Sequence, residues 1–354
     1  MQYQPSYDPL KTFDKNIAHG PYGPFSDGKV YENKGEPTHE IFGQKVYVPF
    51  GVAAGPLFNS QYIKPALEKG FDVVTYKTVR SRIYPCNPWP NLIAVHSDHL
   101  TKEQRENGVL ADQEYSDPVS AANSYGVPSF DPSFWQEDMK KAIAMIGNGQ
   151  LLVASFQGTT KENGTPEGYV KDYALTAKLV KETTPKIMEV NTSCPNEGKA
   201  DLVCFDIDIT QKIVAAIKEE IGNTPLIVKI AYFDDKEELK KLIKAIGPMS
   251  DGIEAINTVM SRLVDKNKKP ALGEGRIFAG SMGHAIQWMG LEMVEDLKKL
   301  REELNMNYKI FGVGGVTLAE DYQLYRDAGA DVVMSATGVI WNPYLAQEIK
   351  EKYL

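Results

Sequence analysis

Residues 309–338 read KIFGVGGVTLAEDYQLYRDAGADVVMSATG. An apolar run, Lys309–Val313, passes through Gly312-Val-Gly314-Gly315 into an amphipathic stretch over 317–328. Asp327-Ala-Gly-Ala330 closes that stretch, and a second apolar run, Asp331–Ser335, begins at once. Five residues dense in Ile, Phe and Val suit a strand buried on both faces, and ten to twelve with helical spacing suit the helix that must cover it. Gly and Ala at the helix end suit an αβ turn. The segment is therefore one β-α-β unit of a parallel sheet.

Working outward from that unit, the same alternation recurs. Further strands are predicted at Phe50–Ala54, Asp72–Lys77, Leu151–Phe156, Ile187–Asn191, Leu226–Ile230 and Gly252–Asn257, which with the first two makes eight. Helical patterns fall near 60–69, 135–147, 168–183, 210–221, 235–246, 285–304, 317–328 and 342–353. In one of them Ile286, Met289, Leu291, Val294, Leu297 and Leu300 recur at helical intervals. Eight β-α units point to an α/β fold, a (β/α)8 TIM barrel, which typically takes about 250 residues. An open doubly wound sheet is the rival architecture. The surplus length lies in two places. Residues 1–40, rich in Pro, Gly, Tyr and Asp, read as an N-terminal extension packed on a barrel of residues 41–354, with a short hairpin at Ile41–Tyr47 turning at Gly43. A long excursion separates Lys77 from the helix near 135, and within it 92–118 reads as an insertion. Excursions of that length are uncommon without a function.

Composition narrows the function. The chain has 354 residues, with 39 Lys+Arg against 47 Asp+Glu and a net charge of −8. That balance argues against a general nucleic-acid binder, because no net field attracts phosphates. No apolar run reaches about 18 residues, so no transmembrane helix is expected. Met1 to Ala18 lacks the basic-then-apolar pattern of a signal peptide. Three cysteines, Cys86, Cys194 and Cys204, do not make a disulfide framework, so a cytoplasmic location is expected. There is no Cys-x-x-Cys, and the five histidines show no ligand spacing, so no metal site is expected.

Active sites of such barrels lie at the C-terminal ends of the strands. The residues there are Ala53-Ala54-Gly55, Lys77-Thr78, Asn191-Thr-Ser-Cys194-Pro-Asn196, Lys229, Asn257-Thr258, Gly314-Gly315 and Ser335-Ala336-Thr337-Gly338. A barrel built only to pack would not need amides, amines, a thiol and glycines there. The last two loops read as a phosphate cradle, since glycine leaves backbone N–H groups uncovered and helix N-termini follow. A tight turn alone would also explain Gly314 and Gly315. Lys77 and Lys229, each in an apolar run, either enter the barrel mouth or snorkel outward; inward, they would stabilise developing negative charge on a ring or form a Schiff base. Asn123, Asn191, Asn196 and Asn257 suit a ring bearing both C=O and N–H, such as a pyrimidine, although each is also a common turn residue. Cys194 suits a general base whose rate rises with pH, since a free thiol titrates near 8.5. An inert thiol is the plainer reading, and for Cys86 and Cys204 it is the expected one.

Asn191-Thr-Ser-Cys-Pro-Asn196 resembles the Asn-x-Ser-Cys-Pro-Asn signature of the dihydroorotate dehydrogenases of the cysteine-base class, class 1. Collinear similarities span most of residues 41–345: Ala53-Ala-Gly55, Lys77-Thr78, Asn87-Pro-Trp-Pro90, Asn123-Ser-Tyr-Gly-Val-Pro128, Lys229, Asn257-Thr258, Gly314-Gly315 and Ala336-Thr337. The resemblance implies an FMN-binding barrel that oxidises dihydroorotate to orotate in pyrimidine biosynthesis. Cys194 would remove the C5 proton while a hydride passes from C6 to flavin N5. Lys77, Asn123, Tyr125, Gly126, Asn191, Asn196, Asn257 and Thr258 would hold the substrate. Ala53, Ala54, Gly55, Lys77, Thr78, Asn191, Lys229, Asn257, Gly280, Gly283, Gly314, Gly315, Ala336 and Thr337 would hold FMN, the last four on its phosphate. It further implies a homodimer, or a partnership with a separate iron–sulfur flavoprotein if NAD is the acceptor. The loop 194–208 is expected to close over substrate. Several features depart from the pattern: the length of 1–40, the 92–118 region, His284 with Gln287 beside a glycine-rich segment Gly280–Gly283 read as the loop after strand 6, and the altered strand 8 loop. A related dihydropyrimidine such as dihydrouracil is therefore the alternative substrate. Outside the flavin reading, the rivals are a Lys229 Schiff-base aldolase or lyase and a non-catalytic scaffold.

Overall fold

The computed structural model describes residues 2–159, 164–193 and 202–354. Its strands, in chain order, are β1 (His39–Ile41), β2 (Gln44–Val46), β3 (Phe50–Val52), β4 (Val73–Val79), β5 (Leu92–Val95), β6 (Val109–Asp112), β7 (Ser120–Asn123) and β8 (Leu151–Phe156). They continue as β9 (Ile187–Asn191), β10 (Leu226–Ile230), β11 (Gly252–Ala255), β12 (Val259–Val264), β13 (Phe278–Gly283), β14 (Lys309–Val313) and β15 (Val332–Ser335). The helices are α1 (Phe13–His19), α2 (Ser60–Glu68), α3 (Lys102–Asn107), α4 (Pro132–Ala144), α5 (Pro166–Lys181), α6 (Ile207–Ile221), α7 (Lys236–Ile246), α8 (Gln287–Glu303), α9 (Ala319–Ala328), α10 (Thr337–Trp341) and α11 (Leu345–Tyr353).

Strands β3, β4, β8, β9, β10, β11, β14 and β15 close into a barrel in that order, every pair parallel. These are the eight predicted strands. Closure is made by β15 returning to β3, with Val333 opposite Phe50, which excludes the open sheet. The unit at 309–338 forms as read: α9 ends where Gly329 takes the left-handed conformation, φ +118, that a Cβ would oppose. Helix α8 turns Met289, Met293, Val294, Leu297 and Leu300 inward; each such side chain contributes roughly 1.5–3 kcal/mol by leaving water.

Val73, Leu151, Val153, Ile187, Ile227, Phe311 and Val332 fill the barrel, and the β1–β2 hairpin adds Ile41 and Val46 to the same cluster. Phe42 at its tip stacks on Phe311, with ring centroids 6.0 Å apart. Phe42 and Gly43 both have positive φ, 49 and 75, as a two-residue hairpin turn requires. The hairpin thus packs on the barrel's N-terminal interior and leaves the opposite end for a cavity.

The excursion and the insertion turn out to share one structure. Strands β5, β6 and β7 join β12 and β13 in a second, five-stranded closed sheet, ordered β12-β13-β7-β5-β6. It is built from segments leaving the C-terminal ends of β4 and β11, so it rises over that end of the barrel. The sequence reading contains no strands there. Four-residue strands such as Ser120-Ala-Ala-Asn123 carry almost no β signal of their own, and the sheet closes only through pairings with β12 and β13, far along the chain. The Gly280–Gly283 segment is likewise a strand, β13, rather than a loop.

Residues 6–13 lie against the same end. Tyr7 packs on Phe58 and Tyr125 (ring centroids 5.5 Å for each), and Phe13 packs on both as well. Ser6 N donates to Ile340 O at 2.8 Å, and Trp89 Nε1 donates to Pro9 O at 3.1 Å.

Candidate active site

A cavity opens where the C-terminal ends of the barrel strands meet the small sheet. Ala53, Ala54, Gly55, Lys77, Thr78, Asn191, Lys229, Asn257, Thr258, Gly314, Gly315, Ala336 and Thr337 line it from the barrel. Asn123, Tyr125, Met282 and Gly283 line it from the small sheet and the loop after β7. Phe58, Ile256, Val313, Val316 and Ile340 supply apolar wall.

Asn191 anchors one end. Its Nδ2 donates to Gln157 Oε1 at 2.8 Å, while its Oδ1 accepts from Ser193 N (3.1 Å), Ser193 Oγ (3.3 Å) and Asn257 Nδ2 (3.1 Å). The Ser193 backbone N–H can only donate, so it fixes which way the Asn191 amide faces. Asn257 spends its second amide hydrogen on Ser193 Oγ at 3.2 Å, and its Oδ1 accepts from Thr258 N at 2.7 Å. An amide offers two donor hydrogens and two acceptor lone pairs. Among the described residues, Asn191 is therefore left with one donor and Asn257 with one acceptor, a complementary pair for a ring edge.

Lys229 and Lys77 both reach the cavity. In β4 the pairing with β8 shifts register between Tyr76 and Val79. Strict alternation would send adjacent residues to opposite faces; the irregularity lets Lys77 and Thr78 both line the cavity. Lys229 Nζ donates to Glu254 Oε1 at 2.5 Å, and its side chain is 5% exposed. Burial works to lower the Lys229 pKa, but the neighbouring carboxyls, Glu254 foremost with its charge and its hydrogen bond, outweigh it and hold the amine above its ordinary value. A Schiff-base lysine needs the reverse, a depressed pKa and a free lone pair. The aldolase reading is therefore disfavoured by the charge around Lys229.

At the other end, Gly314 and Gly315 both take positive φ, +131 and +70. The Gly314 carbonyl accepts from Tyr325 Oη, and the Gly315 carbonyl accepts from Gln287 Nε2 at 3.1 Å. In a trans peptide the C=O and the next N–H point opposite ways. With both carbonyls turned to the helices, the N–H groups of Gly315 and Val316 face the other way, on residues that line the cavity. That is a donor set suited to a phosphate. Between this cradle and the amide pair run the apolar wall and the two ammonium groups, an arrangement that fits a flat, phosphate-bearing ring.

Most sequence-predicted positions converge here. Gly126 and Gly280 do not line the cavity: Gly126 turns at φ +78 against Asn87, and Gly280 pairs with Asn123 inside the small sheet. Cys194 and Asn196, with most of the loop expected to close, lie outside the described residues. Cys204 is fully buried and its thiol is pushed up to about 12 by burial, as is that of the half-buried Cys86, so burial disfavours the thiolate at both. The sequence reading missed Gln157, Glu189 and Glu254. The signal that found the lysines, a charge inside an apolar strand run, was present in Ile253-Glu254-Ala255 and Met188-Glu189-Val190.

An eight-stranded parallel barrel with its polar cavity at the C-terminal ends of the strands is the architecture of barrel enzymes. Residues 38–353 match the family model described as dihydroorotate dehydrogenase. The chain is 32% identical over 365 aligned positions to a dihydroorotate dehydrogenase of Dictyostelium discoideum, spanning 98% of this chain and 96% of that one. It is 30% identical over 186 positions to the catalytic subunit of dihydroorotate dehydrogenase B (NAD(+)) of Alkaliphilus metalliredigens, spanning 51% of this chain and 58% of that one. A crystal structure of DHODH from Eimeria tenella in complex with ferulenol superposes with a TM-score of 0.71 at 19% identity, covering 92% of this chain and 86% of that one, a likeness of fold. The chain belongs to the dihydroorotate dehydrogenase family and is an oxidoreductase. Dihydroorotate dehydrogenases are flavoproteins, which implies a flavin cofactor here. Among the described residues no helix is long and apolar enough to cross a membrane.

Proposed function

We propose that this chain is an FMN-dependent dihydroorotate dehydrogenase of the cysteine-base class, oxidising dihydroorotate to orotate with Cys194 as general base. The observation that carries the reading is the Asn191–Asn257 pair beside Lys229, facing a glycine cradle across one cavity. FMN, when bound, supplies the acceptor for the hydride leaving C6. The chain's own residues do the rest. Asn191 presents its remaining amide hydrogen, and Asn257 its remaining lone pair, to the pyrimidine edge. Asn123, Tyr125, Thr258 and Asn196 complete the substrate side. Lys77 and Lys229 set positive charge against the negative charge that develops on the ring system. Ala53, Ala54, Gly55, Thr78 and Gly283 border the ring and its chain, while Gly314, Gly315, Ala336 and Thr337 hold the phosphate.

Cys194 follows Ser193, whose backbone and hydroxyl are both tied to Asn191. As the base Cys194 takes the C5 proton, and the rate rises with pH as the thiolate fraction grows. Cys194→Ala should lose turnover by roughly 10²–10⁴-fold and keep its flavin; turnover at the native rate would remove the thiol from the mechanism. With the class come a cytoplasmic homodimer, which sedimentation of the purified protein tests, and an organisation in which residues 1–40 extend a barrel of 41–354.

A further inference from the structure

Beneath Lys229 the barrel interior stops being apolar. Ser155, Glu189 and Glu254 enter it from β8, β9 and β11, each fully buried. Ser155 Oγ donates to Glu189 Oε1 at 2.7 Å and lies 2.9 Å from Thr78 Oγ1. Glu254 Oε1 accepts from Lys229 Nζ. The other oxygen of each carboxyl, Glu189 Oε2 and Glu254 Oε2, has no hydrogen-bond partner among the described residues, yet the two side chains interact directly. Two carboxylates against one ammonium would leave a surplus negative charge in a dry interior, where an unpaired ion costs several kcal/mol. One proton resolves both problems. On Glu189 Oε2 it removes the surplus charge and gives both orphan oxygens a partner.

We infer that Glu189 is a neutral carboxylic acid that donates its proton to Glu254, and that Glu254 is a positioning residue holding Lys229 as an ammonium at the cavity floor. The charged groups facing Glu189 are Glu254 from β11 and Lys229 from β10, with the Ser155 hydroxyl from β8. Burial raises the Glu189 pKa most, the charge of Glu254 raises it further, and Lys229 opposes both, leaving it well above the ordinary carboxylate range. The triad is then neutral overall, yet it keeps one ammonium directed at the cavity. Its value to the reaction rests on the flavin reading above: a fixed positive charge is in place before negative charge develops on the ring system.

Infrared spectroscopy of the purified protein tests the proton directly. A carboxylic acid C=O band should be present at pH 7, move in D2O, and vanish in Glu189→Gln. In Glu254→Gln, Lys229 is left with Glu189 as its facing carboxyl, so Glu189 ionises and the band vanishes although Glu189 is still there. A native protein without the band, or a band that survives in Glu254→Gln, overturns the inference. Should the variants fail to fold, carbon NMR of native protein labelled at the Glu carboxyl reads the same point: a buried Glu carboxyl with a protonated shift at pH 7 is expected, and its absence overturns the assignment. The positioning role predicts that Glu254→Gln lowers kcat at least several-fold with KM for dihydroorotate nearly unchanged, and that Glu254→Asp recovers part of the loss. An unchanged kcat in a folded Glu254→Gln protein contradicts that role. A colourless protein that retains the infrared band would instead count against the flavin reading alone.

Discussion

Asn257 Nδ2 donates to Asn191 Oδ1 across 3.1 Å, joining the ends of β11 and β9, strands that are separated in the barrel by β10. The bond makes the substrate end of the cavity one unit rather than three loops. Asn191 is its hub, because it accepts from both Ser193 and Asn257 and donates to Gln157.

Asn191→Ala should therefore cost more than Asn257→Ala. The first removes the acceptor of the Ser193 N–H and of an Asn257 amide hydrogen; leaving buried polar groups unmet costs about 1–3 kcal/mol each. A fall in kcat/KM for dihydroorotate of roughly 10²-fold is expected for Asn191→Ala and roughly 10-fold for Asn257→Ala. Steady-state kinetics on the two variants checks the order, and a larger loss at Asn257 would contradict it.

Gly315→Ala should loosen the cofactor. A Cβ there would sit 2.5 Å from Gln287 Cβ, on a residue held at φ +70. The loop must shift to accept it, and strain of this kind costs of order 1–3 kcal/mol. The N–H groups directed at the cavity move with it. Flavin retained through gel filtration should fall in Gly315→Ala, while Gly28→Ala, with nothing within 4 Å, serves as the control.

The hairpin end of the barrel carries its own buried ion pair. Lys350 Nζ meets Asp72 Oδ1 at 2.6 Å and also donates to Gly70 O, while Asp72 Oδ2 accepts from Val48 N at 2.7 Å. Lys350→Met should destabilise the protein by about 3–5 kcal/mol, because it leaves a buried carboxylate unpaired. Adding Asp72→Asn should return part of the loss. Urea denaturation of the single and double variants checks both, without reference to activity.

Eight strands and their helices were legible because each carries its signal locally: a Val/Ile run, then an amphipathic stretch. The five-stranded sheet was not, because Ser120-Ala-Ala-Asn123 is a strand only by virtue of β5 and β13 on either side. Within the site, Lys77, Lys229, Asn191 and Gly314-Gly315 were legible as polar or glycine residues ending apolar runs. Gln287 looked anomalous in sequence, and its role is explained only by the fold, which brings its amide to the Gly315 carbonyl. Glu189 and Glu254 were passed over because a strand run is scored by its apolar majority; the register sets Glu254 opposite Lys229, and only the closed barrel brings Glu189 to them.

Stability should respond to pH through Glu189. Its folded-state pKa is raised, so between the ordinary value of 4.5 and the folded value the unfolded chain has lost a proton that the native state keeps. The native state then binds more protons, and stability falls as pH rises across that window, by up to about 1.4 kcal/mol per pH unit. The contribution is complete below the unfolded value and gone above the folded one. Glu189→Gln should flatten that slope in denaturation curves taken from pH 4.5 upward; an unchanged slope would contradict a protonated Glu189.

The central claim is that the cavity holds a flavin that dihydroorotate reduces. An anaerobic visible spectrum of the purified protein, supplied with FMN and recorded before and after adding dihydroorotate, tests it in one step. The account predicts a flavin band that bleaches in the native protein and persists in Cys194→Ala. A protein that takes up no flavin, or a bound flavin that dihydroorotate leaves oxidised, would contradict it.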